Sequence, residues 1–525
     1  MLFGKRGTAQ TYGKIPDVEY YHGDMDYIRT WHDYWKSVHP EAFAIDEITW
    51  RDLDMDRLFK RINRGLTTSG EQALYHLLRT PAVDKEEWER RRSLVLLMED
   101  NKTREKAQAM LSPLGCVRRA GPCTSCMTPN AKHGRLLLCV LLALLLPLSL
   151  LIAPLLGKYA MLPVFCVITL NALTHEFLKR NLAGELDAVN YMVSLARAAE
   201  RFRKTGFLRE HLFPAFDALV RLRHVLRIGF AVPADVGGNP LDLFFTITLL
   251  DMIAFERLKR IFRNNRQDVL LLHDVLGRLD AAISVASFRR TLPCWCEPGL
   301  DFSPNAPHAI TAEGIIHPLI AHPVPNGLHA GRSLLITGSN ASGKSTYLRT
   351  SAMCALLAQA ICTAPACSYE APAFHIFTSM ALSDDLIAGE SYYVAEMRAL
   401  KRILNALHDP VPVLCIVDEV LRGTNTAERI AASTEILAML DKAGALCLAA
   451  THDLELCELL RDRYVNMHFE ERIEDGRMLF DYRIRPGKAA TRNAINLLEL
   501  IGLDQSIIEG AHARAERFLQ TGLWS

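Results

Sequence analysis

The chain has 525 residues, enough for three or four domains of roughly 150 residues each. Half of it is apolar and 23% is charged, which excludes a disordered chain. Its 60 basic and 59 acidic residues exclude a histone-like polybasic protein but leave room for a local basic face, and 13 scattered cysteines without a pattern read as reduced, cytosolic thiols.

Residues 1–40 are polar and aromatic, lack an apolar run of the signal-peptide kind, and receive no fold assignment. Residues 41–115 read as helical. Leu53, Met55, Leu58, Phe59 and Ile62 fall at three- and four-residue spacing, as one helix face requires. Thr67, Thr68, Ser69 and Gly70 offer an N-cap for a helix over 71–78, which Pro81 ends, and a charged helix follows over 85–106. The loop-like stretch 113–134 holds Cys123 and Cys126. One Cys-x-x-Cys pair supplies only two metal ligands, so it reads as ordinary loop.

From Leu136 to Gly157 there are 22 residues without a charge, and after Lys158 a second uncharged run extends from Tyr159 to Thr174. A helix over the first run measures about 33 Å, against about 30 Å for a hydrocarbon core. The second measures about 24 Å, which local thinning accommodates. Lys132, His133 and Arg135 precede the pair and Lys179 and Arg180 follow it. Basic flanks at both ends predict a transmembrane hairpin over 135–175, spanning at 136–174, in a multi-pass protein of the inner (cytoplasmic) membrane whose remaining parts face the cytoplasm. The competing reading is a helix pair buried in a soluble domain.

Residues 176–300 read as helical again. Basic clusters stand at Arg197, Arg201, Arg203, Lys204 and Arg209, at Arg221, Arg223 and Arg227, and at Arg257, Lys259, Arg260, Arg263 and Arg266. Such faces suit phosphate backbones or anionic headgroups, or are simply solvated. Asn239–Phe255 is apolar but carries Asp242 and Asp251, and reads as a core helix and not a third span.

After Asp301 short apolar runs alternate with helical patterns, the βαβ rhythm of a parallel sheet. The strand Leu334–Ile336 leads into Gly338, Ser339, Asn340, Ala341, Ser342, Gly343, Lys344 and Ser345, and a helix starts at Thr346. Strand, glycine-bracketed loop and helix make a phosphate-binding loop, the Walker A motif. Backbone N–H groups face the phosphates, Lys344 supplies a point charge, and Ser345 offers a hydroxyl to Mg²⁺. The strand Val413–Val417 ends in Asp418, which can hold the Mg²⁺ shell, and Glu419, which can act as general base on the attacking water. A third strand, Ala445–Ala450, ends in Thr451, His452 and Asp453, where a polar side chain can sense the γ-phosphate.

Together these residues resemble the MutS family of DNA mismatch-repair ATPases, within the ABC ATPase class, over about residues 313–520. Ile336 to Arg349 is the family's form of the loop, with Ser342 where a glycine is usual. Ser383 to Met397 resembles its signature loop, whose Ser391 would reach the γ-phosphate held by a partner subunit. Asp418 to Thr426 resembles the Walker B strand with its dimer-facing loop, and Thr451-His452 the switch histidine. His317-Pro318-Leu319 resembles the segment against the adenine, Asn496–Leu519 the C-terminal dimerisation helices, and 44–110 the start of the helical lever. The resemblance implies a multidomain α and α/β chain: lever/core at 41–130 and 176–300, and at 301–525 a P-loop ABC-type ATPase domain with a mostly parallel sheet. It further implies a homodimer hydrolysing ATP with Mg²⁺ at composite sites, and DNA as a partner. Lys344, Glu419 and His452 would be catalytic. The residues ahead of the lever are too few for the family's mismatch-reading domain, so mismatch reading is not expected. The alternative is a membrane-associated ABC-class ATPase that drives a protein conformational change without nucleic acid.

Overall fold

The computed structural model describes residues 12–16, 20, 23–117, 134–229, 240–339, 342–380, 392–421, 424–474, 477–489 and 504–521. The chain forms two units whose segments alternate along it. One holds Met1–Ala42, Phe59–Leu77 and Arg91–Thr291; the other holds Phe43–Leu58, Leu78–Arg90 and Leu292–Ser525.

The first unit is helical. Its start, unassigned from sequence, contains the helix Asp24–Val38. Tyr12 donates its hydroxyl to the Ala286 carbonyl at 3.2 Å and Gly13 its N–H to Ser287 Oγ at 3.0 Å. Both contacts lie on the long helix Arg266–Arg289, whose leucines and small residues are buried along most of its length. A buried Asp280 on that helix accepts from the backbone N–H of Leu66 (2.9 Å) and Thr67 (2.8 Å) and from Thr67 Oγ1 (2.7 Å). Thr67 in turn caps the helix Thr68–Arg79 by accepting from Gly70 N at 2.9 Å, as the sequence predicts. The charged helix of 85–106 is two helices, because the Asp100 carboxylate accepts from Thr103 N at 2.8 Å and starts a new one, Asn101–Leu111. The basic clusters are partly neutralised within the unit. Arg203 pairs with Glu200, Arg221 with Asp217 and Asp268, and Lys259 with Glu185.

The two uncharged runs form helices Gly134–Ile152 and Met161–Asn181, joined through a 3₁₀ stretch Ala153–Tyr159 with Gly157 at φ 54. The second helix continues past Thr174 through Lys179 and Arg180. Both helices are long and apolar enough to cross a membrane, and only 17% and 11% of their most apolar stretches are buried. Leu151, Leu155, Met161 and Phe165 face outward. Asn239–Phe255, read from sequence as one core helix, is instead parts of two, Pro240–Thr248 and Leu250–Asn264, broken at Leu249 with φ 55. Asp251 stands in the first turn of the second helix, where the dipole favours an anion, and its carboxylate accepts from Met252 N at 2.8 Å.

The described residues of the second unit form the strands β1 Gly299–Asp301, β2 Ile310–Ile315, β3 Asn326–Ala330, β4 Leu334–Thr337, β5 Ser368–Pro372, β6 His375–Ser379, β7 Val413–Asp418, β8 Leu446–Ala450, β9 Val465–Glu474 and β10 Arg477–Pro486. One sheet has the order β10-β9-β4-β8-β7-β6, parallel except for β10; the other, β1-β5-β2-β3, is mixed. β4, β7 and β8 are buried at every position, which is why they read as unbroken apolar runs instead of alternating ones. Phe43–Leu58 and Leu78–Arg90, read from sequence as helical lever, pack here. Asp52 accepts from Thr378 Oγ1 at 2.6 Å and Met380 N at 3.1 Å, and Trp88 Nε1 donates to the Ala358 carbonyl at 3.0 Å. In the strand register, Ile336 on β4 and Asp418 on β7 both pair with Ala450 on β8. Three strands therefore end level, and the turns after them emerge at one edge of the sheet.

Candidate functional site

The loop after β4 needs two backbone conformations that side chains disfavour, Gly338 at φ 142 and Gly343 at φ 106. A Cβ on Gly338 would also meet the Phe469 carbonyl at 3.0 Å. Ser342 is buried and its hydroxyl donates to the Ser339 carbonyl at 2.8 Å, so serine is accommodated where a glycine is usual. Lys344 opens the helix Lys344–Ile361 and is buried, with its ammonium folded onto the Gly338 carbonyl (2.6 Å) and the Ser339 carbonyl (2.8 Å). Ser339 Oγ is buried without a hydrogen-bond partner among the described residues. The loop thus offers an N-terminal helix dipole, a buried cation and an unpaired hydroxyl, a constellation made for an anion.

At the end of β7, the Ser345 hydroxyl hydrogen-bonds to the Asp418 carboxylate. Burial holds that carboxyl above the ordinary carboxylate range, and the neighbouring Glu419 adds to the effect. Ser345 and Asp418 are two hard oxygen donors side by side, and no cluster of three or more metal-ligating side chains occurs among the described residues. That donor set fits Mg²⁺, which takes one or two protein oxygens and fills its octahedron with water and phosphate, and not a caged transition metal. Glu419 and Leu421 both adopt positive φ, 57 and 59, a strained turn directly after the strand. The strain lets the Glu419 carboxylate reach back to His452 Nε2 at 2.6 Å. His452 Nε2 also lies 3.5 Å from Lys344 Nζ. Behind it, Arg429 grips Asp453 through two bonds of 2.9 and 2.6 Å, fixing the turn after β8.

Beside the loop lies a cavity of about 380 Å³ lined by His317, Gly343, Thr346, Tyr347, Phe469 and Tyr482, among others. Tyr347 is held by its hydroxyl on the Gly327 carbonyl at 2.8 Å and meets Phe469 edge to face at 5.8 Å. Burial, with Arg349 and Arg57 nearby, pushes the His317 imidazole down to about 4, so it is neutral at pH 7. A flat aromatic base adjoining the phosphate loop would find aromatic walls and an uncharged ring. His317 was legible in the sequence. Phe469 and Tyr482 were not, because they come from β9 and β10 and carry no local motif; an antiparallel strand pair late in the chain was the only available signal.

The structure brings together Gly338, Ser339, Ser342, Gly343, Lys344, Ser345, Thr346, Asp418, Glu419 and His452 at one sheet edge. Asn340, Ala341 and Ser391, most of the Ser383–Met397 loop, Arg422 and Gly423, residues 496–503 of the C-terminal element, and Cys123 and Cys126 lie outside the described residues. The helix Gln505–Thr521 covers the remainder of that C-terminal element.

Residues 334–519 match MutS domain V. The DNA mismatch repair protein MutS of Thermus thermophilus is 36% identical over 192 residues, covering 36% of this chain and 23% of that protein. MutS of Lactobacillus delbrueckii subsp. bulgaricus is 31% identical over 288 residues, 52% of this chain and 33% of the relative. DNA mismatch repair protein MutS 2 of Haloarcula marismortui is 32% identical over 276 residues, 46% of this chain and 28% of the relative. The chain thus spans about a quarter to a third of the length of these curated relatives.

Proposed function

We propose, from the match of residues 334–519 to MutS domain V, that this chain is a MutS-family protein and a Mg²⁺-dependent ATPase anchored in the cytoplasmic membrane by its hairpin, acting as a homodimer with composite sites and binding DNA. The observation that carries the reading is the meeting of Lys344, the Ser345–Asp418 pair and the Glu419–His452 pair at the level ends of β4, β7 and β8. When ATP enters, Lys344 leaves the loop carbonyls for the β- and γ-phosphate oxygens. Ser345 and Asp418 would hold Mg²⁺, which would supply charge neutralisation to the bound phosphates. Glu419 takes the proton of the attacking water as general base. His452, with Nε2 protonated, orients that carboxylate and stands close enough to Lys344 to respond to the γ-phosphate. Ser391 of a second copy completes the site.

Membrane attachment is supported by the outward apolar residues of the hairpin, whose two helices are long and apolar enough to cross a membrane and are only 17% and 11% buried over their most apolar stretches. Arg135 before it and Lys179 and Arg180 at its end favour the cytoplasm for both flanks. DNA binding is supported by what the relatives are named for. One observation favours the alternative, an ATPase driving a protein rearrangement without nucleic acid: Arg203, Arg221 and Lys259 are already paired with carboxylates of their own unit. The test is the ATPase rate of the full chain in nanodiscs, with and without duplex DNA, over a salt series. Stimulation by DNA that fades with salt supports the proposal. A rate indifferent to DNA at every salt selects the alternative, and equal rates in wild type and Glu419→Gln remove Glu419 as the base.

A further inference from the structure

We propose that Pro240–Thr248 is a half-length helix embedded in the bilayer beside the hairpin, so that the membrane element has three segments and Leu243 and Phe244 face lipid. The inference rests on the reading of 136–174 as a membrane hairpin and extends it to a segment whose two aspartates argue against a span.

The packing gives depth. Asn171 Nδ2 donates to the Ile247 carbonyl at 2.7 Å, and His175 Nε2 meets Asp251 Oδ2 at 2.7 Å. Both pairs have the same separation of 76 residues, so the chain from Ile247 to Asp251 runs alongside Met161–Asn181 and in the same direction. Carried forward, that register sets Arg257 level with Asn181, where the hairpin's Lys179 and Arg180 stand. Carried back, it sets Phe244 level with Ile168, six residues inside the Thr174 end of the proposed span, or about 9 Å at 1.5 Å per residue. That is within a core about 30 Å thick. The exposed Arg257 and Arg260 would then lie beside Lys179 and Arg180 at the headgroups, a charge match to anionic lipid.

The chemistry fits the same depth. Leu243 and Phe244 are 66% and 51% exposed, continuing the hairpin's outward surface on the helix that packs against it. A helix break frees carbonyls, which water can satisfy and hydrocarbon cannot. Here a fully buried Asn171 serves the Ile247 carbonyl, Leu249 N serves the Phe245 carbonyl at 2.8 Å, and Thr248 Oγ1 serves the Phe244 carbonyl at 2.7 Å. Asp251, level with His175 at the edge of the proposed span, is buried against that imidazole.

The experiment places a photoreactive benzophenone amino acid singly at Leu144, Leu243, Phe244 and Asp217 in the full chain. Each variant is reconstituted in phosphatidylcholine–phosphatidylglycerol nanodiscs, irradiated, and read by mass spectrometry for phospholipid adducts. Adducts at Leu144 and at Leu243 or Phe244, with Asp217 at background, are expected. Adducts at Leu144 alone overturn this inference and leave the hairpin standing. Background yield at Leu144 as well overturns the hairpin reading and the inference with it. Cross-links from Phe244 to a second copy of the chain in place of lipid overturn the lipid-facing assignment.

Discussion

Replacing Lys344 by alanine isolates the charge that the phosphate loop holds ready. The ammonium is buried and spends its donors on the Gly338 and Ser339 carbonyls, so ATP must exchange those two bonds for phosphate oxygens. One unit charge about 4 Å from another at an effective dielectric of about 20 contributes about 4 kcal/mol. Giving up the two carbonyl bonds offsets part of this, since each hydrogen bond to a charged group is worth about 1.5–3 kcal/mol before water replaces it. A net loss of about 1–3 kcal/mol weakens nucleotide binding by about 5- to 150-fold. Alanine is preferable to methionine here, because it leaves room for water to reach the two carbonyls and keeps the folded loop from carrying unpaired acceptors. The measurement is a fluorescence-anisotropy titration of the nanodisc-held chain with a labelled ATP and Mg²⁺, beside melting curves that check folding. An unchanged Kd in a normally folded variant would mean that Lys344 stays on the loop carbonyls when nucleotide is bound, and the proposed role would fail.

Mixing Lys344→Ala chains with Ser391→Ala chains should restore partial ATPase activity through one intact composite site; heterodimers as inactive as both parents would contradict assembly across the dimer. The wild-type chain should remain in the pellet after carbonate extraction, whereas recovery in the supernatant would indicate a hairpin buried in a soluble protein. Burial pushes the Asp280 carboxyl up to about 7, so the folded state binds a proton that the unfolded chain releases near pH 4. Stability should therefore be fullest below about pH 4 and fall, through this group by at most about 4 kcal/mol, until about pH 7, where it levels off. In pH-dependent melting of the full chain, Asp280→Asn should flatten that slope, and an unaltered slope would show that Asp280 does not carry it.

How much the sequence discloses depends on how far apart the cooperating residues lie. Gly338 to Ser345, Asp418 with Glu419, and His452 each stand within a few residues of a fully apolar strand end, so strand and chemistry appear in one window. The parallel order that brings the three ends level is a long-range fact, but any βαβ chain with those ends must use the carboxyl edge. The base cavity was legible only in part. His317 sits in a motif, while Phe469 and Tyr482 reach the same cavity from an antiparallel pair whose sequence reports strand and nothing about a ligand. The attachment of Phe43–Leu58 to the sheet of the second unit was not legible, because it depends on Asp52 reaching Thr378, 326 residues away. A helical pattern records which face is apolar and not which partner covers it.

The apolar segment around Leu249 shows the same limit at its sharpest. Hydropathy treats Asp251 as an isolated charge, and an isolated charge keeps a helix out of hydrocarbon by several kcal/mol. The folded chain presents His175 to Asp251 at 2.7 Å and buries both, and it presents Asn171 to the carbonyl that the break at Leu249 would otherwise leave open. Neither His175 nor Asn171 distinguishes itself in a hairpin otherwise counted by its leucines. Read singly, each is a polar blemish in an apolar run. Read as partners 76 residues downstream reveal them, they are what a broken, charged helix requires before it can leave water.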